Sequence, residues 1–516
     1  MLFAGGLPLL AFPGLNLEFL AWFALVPGLL LIINSPGQRE AAVRAWWLGS
    51  GYLITALYWM APEIGPGLLL VGAVFGALWV PFGVAAWRLL RPPVTWRRAL
   101  AALTVVPSCW LLTEWLRSWQ ALGGPWAVYG ASQWQHPAVL ALAAVGGVWL
   151  VTFALVMTNV AIVLVLGVRR PARLALGLGA VVAGAGAGPL AFALTPAAPA
   201  VRQVTIAMVQ PGLVHDPAKR VDASETLTAS LSRSGSLGGV RPDLIVWGES
   251  SVAFDLALDH SLLRAVEALS AQNGADILVD QDTTLPGKGD EKVAVLVSPA
   301  GIEGTYVKTR LVPFGEYIPF RRELGWLTKI SKAAAANMIP GTGARLLHPV
   351  DRAGRPLPIG VLICFESAFP DMSRVETGQG AQLIVYQSST PTFQGTWGPD
   401  QHASLAALRA AETGRPAVQA ALTGDTVAFD ARGRQAAWMG QSSRGVVTVR
   451  LGLPAVSART PYDRLGDCVP WAATAIVVIA ALILLARSRG FLGGDTSVRE
   501  RRAAVYDSGN GQRVAT

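Results

Sequence analysis

The chain has 516 residues, of which 52% are hydrophobic and only 15% charged, well under the roughly 25% charged residues of soluble domains. A mean hydropathy of +0.43, with the apolar runs gathered at the two ends, excludes a purely soluble protein. The net charge of +9 and pI near 9.8 do not point to nucleic acid. Residues 200–466 hold 26 Lys+Arg against 25 Asp+Glu, so the basic surplus flanks the apolar runs, where it reports membrane topology.

In chain order, apolar runs at 2–12, 17–34, 44–60, 67–87, 99–116, 143–168 and 174–194 approach the ~20 residues of a bilayer-crossing helix and predict about seven helices over residues 1–199. The first run is short, and Pro13-Gly14 allows a tight hairpin into the second. It lacks the basic flank of a signal peptide, and further apolar spans follow it. Arg39 and Arg44, then Arg88, Arg91, Arg97 and Arg98, then Arg169, Arg170 and Arg173, and the six arginines after the last span share one side if the chain starts in the cytoplasm. Only Arg117 falls outside this pattern. Residues 200–466 then lie across the membrane, which in a bacterium is the periplasmic face of the inner membrane. The segment Gly123–Trp134, rich in Trp and Tyr, reads either as an interfacial aromatic belt or as the lining of a lipid entry. Glu114 is an acid at a costly depth, and it can pair with Arg117 at i,i+3.

Residues 195–200 form a Pro/Ala linker. Strands are then predicted at 204–209, 244–247, 277–279, 293–297, up to Val307, and at 357–363, 383–386, 418–421 and 446–449. Helices are predicted at 218–233 and 259–273, and at 401–413 with Asp400 as N-cap and Gly414 after the C-terminus. This alternation gives an α/β layered domain over 200–466. Residues 467–488 predict one more membrane span. The polar, Arg-rich tail 489–516 has the composition of a disordered segment.

Three strand ends carry candidate chemistry. Glu249 follows the buried strand 244–247, Lys308 precedes a Pro/Gly-rich loop, and Cys364 ends the strand 357–363. With Cys109 inside one apolar span and Cys468 at the start of another, three cysteines with no close pair form no disulfide framework, and Cys364 is expected to be a free thiol. An unperturbed thiol is mostly protonated at neutral pH. Glu249 can take its proton, while Lys308 can favour the thiolate and stabilise an oxyanion together with a backbone N–H near Phe365. Each residue alone also has a bland reading: an inert buried cysteine, a solvated glutamate, an ion-paired lysine. Five scattered histidines and three distant cysteines lack metal-site spacing, and no cofactor is expected.

The order Glu, Lys, Cys on strand ends resembles the carbon–nitrogen hydrolase (nitrilase) superfamily, which implies an α-β-β-α sandwich beside the helical membrane domain. Longer phrases resemble its membrane-bound branch, the apolipoprotein N-acyltransferases: Tyr306-Val-Lys308 running into Leu311-Val-Pro-Phe-Gly-Glu316-Tyr, then Ile363-Cys364-Phe-Glu366, Gln401-His402, Arg409-Ala-Ala-Glu412-Thr-Gly-Arg415 and Thr460-Pro-Tyr-Asp-Arg-Leu-Gly-Asp467. The resemblance implies Glu249 as base, Lys308 as oxyanion stabiliser and Cys364 as acyl-accepting nucleophile, with Glu316 and Glu366 in support. It also implies a phospholipid acyl donor and an apolipoprotein diacylglyceryl-cysteine acceptor. Gly248 departs from the usual proline, and Gln387–Phe393 departs from an Asn-Asp-x-Trp-Phe phrase in a region expected to border the substrate. Gln401, His402, Arg409 and Glu412 fall on one helix and read as capping and packing residues.

A membrane anchor suits an acyl substrate. Moving a chain of ~15 methylenes into water costs roughly 12 kcal/mol at ~0.8 kcal/mol per CH₂. The stretch from Leu311 to about Ala344 sets Phe314, Tyr317, Ile318, Phe320, Leu324, Trp326 and Leu327 beside Arg321, Arg322, Lys329 and Lys332. It reads as an interfacial lid over headgroups or as an ordinary amphipathic surface. Two other functions stay open: a membrane-tethered amidase with water as acceptor, and a non-catalytic lipoprotein-binding scaffold.

Overall fold

The computed structural model describes residues 1–167, 171–213, 217–233, 241–329 and 337–488. The tail 489–516, Arg169, Arg170 and Lys332 lie outside the described residues, as do the side chains of Arg173, Leu327 and Lys329. Among the described residues, five helices are long and apolar enough to cross a membrane: Gly67–Leu90, Trp96–Arg117, Pro137–Gly167, Leu174–Leu194 and Cys468–Arg487. The first two predicted spans are shorter, at Leu2–Ala11 and Glu18–Ile33. Gly14 at φ +115 makes the turn between them. The third, Gln38–Ala56, carries Arg39, Glu40 and Arg44 in its opening turns, with Arg44 on Glu40 at 3.0 Å. That leaves too short an apolar length to span by itself.

Inside the helical region Glu114 is not salt-bridged to Arg117. Its carboxylate accepts from Trp110 Nε1 and the Tyr129 N–H, both at 2.8 Å, and from Thr152 Oγ1 at 3.1 Å. The Arg117 guanidinium donates instead to the carbonyls of Gly124 and Trp126. The long helix Pro137–Gly167 breaks at Gly146–Gly147, where Gly147 has φ +71. The break frees the Val148 N–H, and Glu412 accepts it at 2.8 Å.

Residues 200–466 form two six-stranded sheets. In chain order the strands are β1 (Ala200–Gln210), β2 (Leu244–Trp247), β3 (Asp276–Leu285), β4 (Gly289–Ser298), β5 (Gly301–Val307), β6 (Leu346–Leu347), β7 (Ile359–Ile363), β8 (Leu383–Ser388), β9 (Ala417–Ala421), β10 (Thr426–Phe429), β11 (Gln435–Met439) and β12 (Gly445–Pro454). One sheet runs β12-β1-β2-β3-β4-β5 and the other β11-β10-β9-β8-β7-β6. The pairs β1–β2, β2–β3, β7–β8 and β8–β9 are parallel.

Parallel strands are buried on both faces, which is why they read as continuous apolar runs. Ile206, Met208, Leu244 and Val246 face the core shared with Ile359, Val361 and Leu383 of the other sheet. Their neighbours Ala207, Val209, Ile245 and Trp247 face the opposite way, onto Val266 and Leu269 of the helix His260–Asn273. Sandwiching helices on the second sheet are Pro370–Gln379 and Gly398–Thr413. The latter ends at Gly414 in the left-handed region, φ +67, as predicted, but it begins at Gly398 with Trp397 as N-cap. Asp400 therefore sits in the first turn, where its charge complements the positive end of the helix dipole rather than capping the helix.

Candidate active site

Each candidate leaves the end of a strand: Glu249 two residues past β2, Lys308 one past β5 and Cys364 one past β7. The sandwich brings all three together. Lys308 Nζ lies 3.1 Å from Glu249 Oε1 and 2.7 Å from Glu316 Oε1. The Cys364 thiol lies close enough to the Glu249 carboxylate and the Lys308 ammonium to feel both charges. All three cysteines are free. Among the described residues, no group of three His, Cys, Asp or Glu side chains could hold a metal ion.

The strand-end turns are fixed by packing. Cys364 has φ +51, a strained value for a residue with a Cβ and one that recurs where function constrains the backbone. Its strain is held by neighbours. The His402 ring stands with Nε2 3.1 Å from the Cys364 carbonyl and Nδ1 3.2 Å from Ser388 Oγ. Burial lowers His402 to about 4, so the neutral ring donates to the carbonyl and accepts from Ser388. This supports a structural role for His402. Gln401 accepts from Trp59 Nε1 at 3.2 Å, and Arg409 pairs with Glu412 at 3.1 Å.

Glu366 braces two loops. Oε1 accepts from Tyr306 OH at 2.8 Å, the Thr309 N–H at 2.7 Å and the Arg310 N–H at 2.9 Å, while Oε2 accepts the Ile363 N–H at 2.7 Å. One carboxylate thus ties the turn of Cys364 to the loop of Lys308. Gly248 has a local reason: a Cβ there would sit 2.0 Å from the Leu422 backbone nitrogen. The departing segment 387–393 also stitches the site. Gln387 Nε2 donates to the Trp247 carbonyl at 2.9 Å, and the Ser389 carbonyl lies 4.0 Å from Cys364 Sγ.

The charges divide cleanly. Burial alone would push the Glu249 carboxyl up, but the ammonium groups of Lys308 and Lys292 outweigh it and hold Glu249 below the usual carboxylate range. Burial would pull Lys308 down, yet Glu249 and Glu316 keep it well above the lysine range. Burial and then the Glu249 carboxylate push the Cys364 thiol up, against the pull of Lys308. The resting site is therefore carboxylate, ammonium and thiol, not a preformed thiolate. Such a set can transfer a proton from sulfur to Glu249 as the sulfur attacks an acyl carbon.

The helical region closes one side of this site. Gln120 Nε2 donates to the Leu311 carbonyl at 3.0 Å. Trp126 stacks on Phe365 at 6.1 Å, and Trp59 meets Phe393 at 4.8 Å. Gly124, at φ +75, leaves no room for a Cβ, which would lie 2.8 Å from Phe365 Cζ. The segment 123–134 is thus packed inside the protein rather than spread as an interfacial belt. Phe365 supports this joint with its ring, which also meets Phe369 at 4.9 Å. In the loop after Lys308, Ile318 is buried and Tyr317 half-buried, whereas Phe314, Phe320 and Trp326 are exposed.

The sequence models of two families match: "Apolipoprotein N-acyltransferase N-terminal domain" over residues 4–161 and "Carbon-nitrogen hydrolase" over residues 206–459. An apolipoprotein N-acyltransferase of Allorhizobium ampelinum is 31% identical over 476 residues, covering 87% of this chain and 86% of the relative. The chain belongs to the apolipoprotein N-acyltransferase family. Another member, from Chlorobaculum tepidum, is 28% identical over 517 residues, covering 94% of this chain and 95% of its own. Among solved structures, Saccharomyces cerevisiae Nit3, of branch 10 of the nitrilase superfamily, aligns at 14% identity and a TM-score of 0.38, covering 49% of this chain and 91% of its own. Membership makes the chain an acyltransferase enzyme with a carbon–nitrogen hydrolase fold and a helical membrane region.

Sequence reasoning missed Lys292, Asp280, Asp282 and Ser250, which surround Glu249 from behind. Lys292 Nζ is 3.7 Å from Glu249 Oε1. The available signal was the hairpin β3–β4, in which Asp282 and Lys292 stand opposite each other.

Proposed function

We propose that the chain transfers an acyl group from a phospholipid to the N-terminal amine of a diacylglyceryl-cysteine on an apolipoprotein, through a thioester on Cys364. The convergence of Glu249, Lys308 and Cys364 against the helical region is the observation that carries this reading.

In the first half, Glu249 takes the Sγ proton as sulfur bonds to the ester carbonyl carbon. The oxyanion that forms faces the Lys308 ammonium, which has a third N–H beyond those given to Glu249 and Glu316, and the Phe365 N–H. The first amides of a helical turn have no partner within it. The carbonyl re-forms, the ester C–O bond breaks, and the proton on Glu249 passes to the departing lysophospholipid oxygen. In the second half, the acceptor amine attacks the thioester carbonyl and gives a proton to Glu249. The C–S bond breaks, and the sulfur is reprotonated. This order requires ping-pong kinetics.

Proximity to lipid is the reason for the joint with membrane helices. Holding the sulfur at the bilayer surface avoids most of the roughly 12 kcal/mol needed to bring a ~15-methylene chain into water. The exposed Phe314, Phe320 and Trp326 suit a lid in contact with headgroups. By the arginine pattern, residues 200–466 face the periplasm. The test is an assay of full-length enzyme with phospholipid and a diacylglyceryl-cysteine peptide, run beside small-amide hydrolysis. Phospholipid-dependent N-acylation is expected. Amide hydrolysis without it would assign water as acceptor and overturn the proposal.

A further inference from the structure

The turn that presents Glu249 is held by polar side chains to which the acyl-transfer steps give no role. Lys292 on β4 stands across from Asp282 on β3, and its Nζ reaches Asp282 Oδ1 at 2.9 Å. The same Nζ donates to Ser250 Oγ at 2.6 Å and lies 3.7 Å from Glu249 Oε1. Ser250 follows the base directly and has φ +54, a conformation that a non-glycine residue keeps only when its surroundings impose it. They do so here. The Ser250 N–H donates to Asp280 Oδ1 at 2.7 Å, and its hydroxyl donates to Asp282 Oδ1 at 3.1 Å while accepting from Lys292.

Charge gives the cluster a further purpose. Lys308 is one ammonium divided between two carboxylates, Glu249 and Glu316. Glu249 is almost fully enclosed, and enclosure favours its protonated form, which cannot accept a proton from sulfur. Around it stand Lys308 beyond β5, Cys364 beyond β7, Lys292 on β4, Asp280 and Asp282 on β3, and the neutral His402 ring. Lys292 is the second cation of this set, its Nζ 3.7 Å from the same Glu249 oxygen that Lys308 holds at 3.1 Å.

We propose that Lys292 is a positioning residue for the Glu249 base: it pins the Glu249–Ser250 turn and supplies the second positive charge that keeps the enclosed carboxylate ionised, without touching substrate. This rests on the acyl-transfer reading above, since it assigns Glu249 the proton.

The test follows acylation of Cys364 by intact mass in full-length enzyme mixed with phospholipid, across pH, for wild type, Lys292→Met, Lys292→Arg and Cys364→Ala. Loss of a cation beside a carboxylate raises its pKa, so the acid limb of the rate profile moves toward alkaline pH. Lys292→Met is expected to move the limb by about one unit and slow acylation about tenfold on its acid side. Half-saturating phospholipid should stay within about twofold, because the residue does not contact substrate. Lys292→Arg should restore the limb. An unmoved limb overturns the proposal, as does a uniform rate loss that arginine does not repair, which would mark a merely structural residue. If Lys292→Met does not hold its fold, Asp282→Asn is read instead. Freed from Asp282, Lys292 acts more fully on Glu249, and the limb should move toward acid pH; a stationary limb again refutes the role. Wild type that never acylates sinks the acyl-transfer reading and this proposal with it, whereas wild-type acylation matched by Lys292→Met sinks this proposal alone.

Discussion

Replacing Glu249 by glutamine should move two properties of Cys364 in opposite directions. In the native site the Glu249 carboxylate raises the thiol pKa while Lys308, 3.1 Å from that carboxylate, lowers it. Glutamine keeps the shape and removes the negative charge, leaving the ammonium less opposed. A charge at this range moves a neighbour's pKa by about one to three units. Each unit multiplies the thiolate fraction about tenfold, and the lower basicity of the sulfur returns part of that, leaving about a threefold gain in alkylation per unit. Iodoacetamide should therefore modify Glu249→Gln faster than wild type at neutral pH. Acyl transfer from phospholipid should fall by about 10²–10⁴, the usual contribution of a general acid–base group, because nothing remains to protonate the departing oxygen. Alkylation rates by mass spectrometry, paired with acylation rates on the same preparation, make the comparison. Slower alkylation in the variant, or acyl transfer within tenfold of wild type, would refute the assignment of Glu249 as base to a resting thiol.

Further outcomes follow from the same contacts. Glu366→Gln keeps an oxygen for three donors but turns an NH₂ toward the Ile363 N–H, and should cost about 1–3 kcal/mol, seen as earlier thermal inactivation together with slower acylation. Arg409→Leu leaves Glu412 enclosed without its cation and should destabilise by about 3–5 kcal/mol; the double variant Arg409→Leu/Glu412→Leu should recover part of that in the same melt. Gly124→Ala forces a Cβ to 2.8 Å from Phe365 Cζ and should slow acylation more than Gly123→Ala, which shares the positive-φ cost of about 1–3 kcal/mol at φ +102 but whose Cβ would meet nothing within 4 Å. Burial raises Asp280 to about 8, so it keeps its proton in the folded state while the unfolded chain loses it near 4. Its contribution to stability is thus present below about pH 4 and is lost as pH rises toward 8. The gain in melting temperature from Asp280→Asn should accordingly be larger at pH 8 than at pH 5.

Two of the candidate residues were legible because β2 and β7 are parallel strands whose apolar runs stop just before Glu249 and Cys364, whereas Lys308 follows the antiparallel edge strand β5 and was marked by the Pro/Gly-rich loop after it. Such runs mark burial on both faces, and a polar residue just beyond one must emerge at a sheet end. The membrane helices were legible by the same logic, except where charge shortens them, as Arg39 and Arg44 do in Gln38–Ala56. What escaped were features set by partners far along the chain. Lys292 looks like a solvated residue in the polar half of a hairpin until Glu249 arrives from another strand. Glu114 has Arg117 one turn away, but Tyr129 and Thr152 claim its oxygens first. The strands β10 and β11, which close one side of their sheet with sequences Thr-Val-Ala-Phe and Gln-Ala-Ala-Trp-Met, lack the β-branched density of the core strands. Asp400 has the chemistry of a cap, yet the helix starts three residues earlier than predicted, because Trp397 is drawn to Tyr58, whose hydroxyl accepts its N–H at 3.0 Å.

The most direct measurement is peptide mass spectrometry of full-length enzyme incubated with phospholipid alone, in wild type and Cys364→Ala. The expected spectrum shows one acyl chain on the peptide containing Cys364, removable by hydroxylamine, discharged when a diacylglyceryl-cysteine peptide is added, and missing from the alanine variant. An acyl adduct that persists in Cys364→Ala, or transfer to the peptide with no adduct ever forming on wild type, would contradict a thioester at that sulfur.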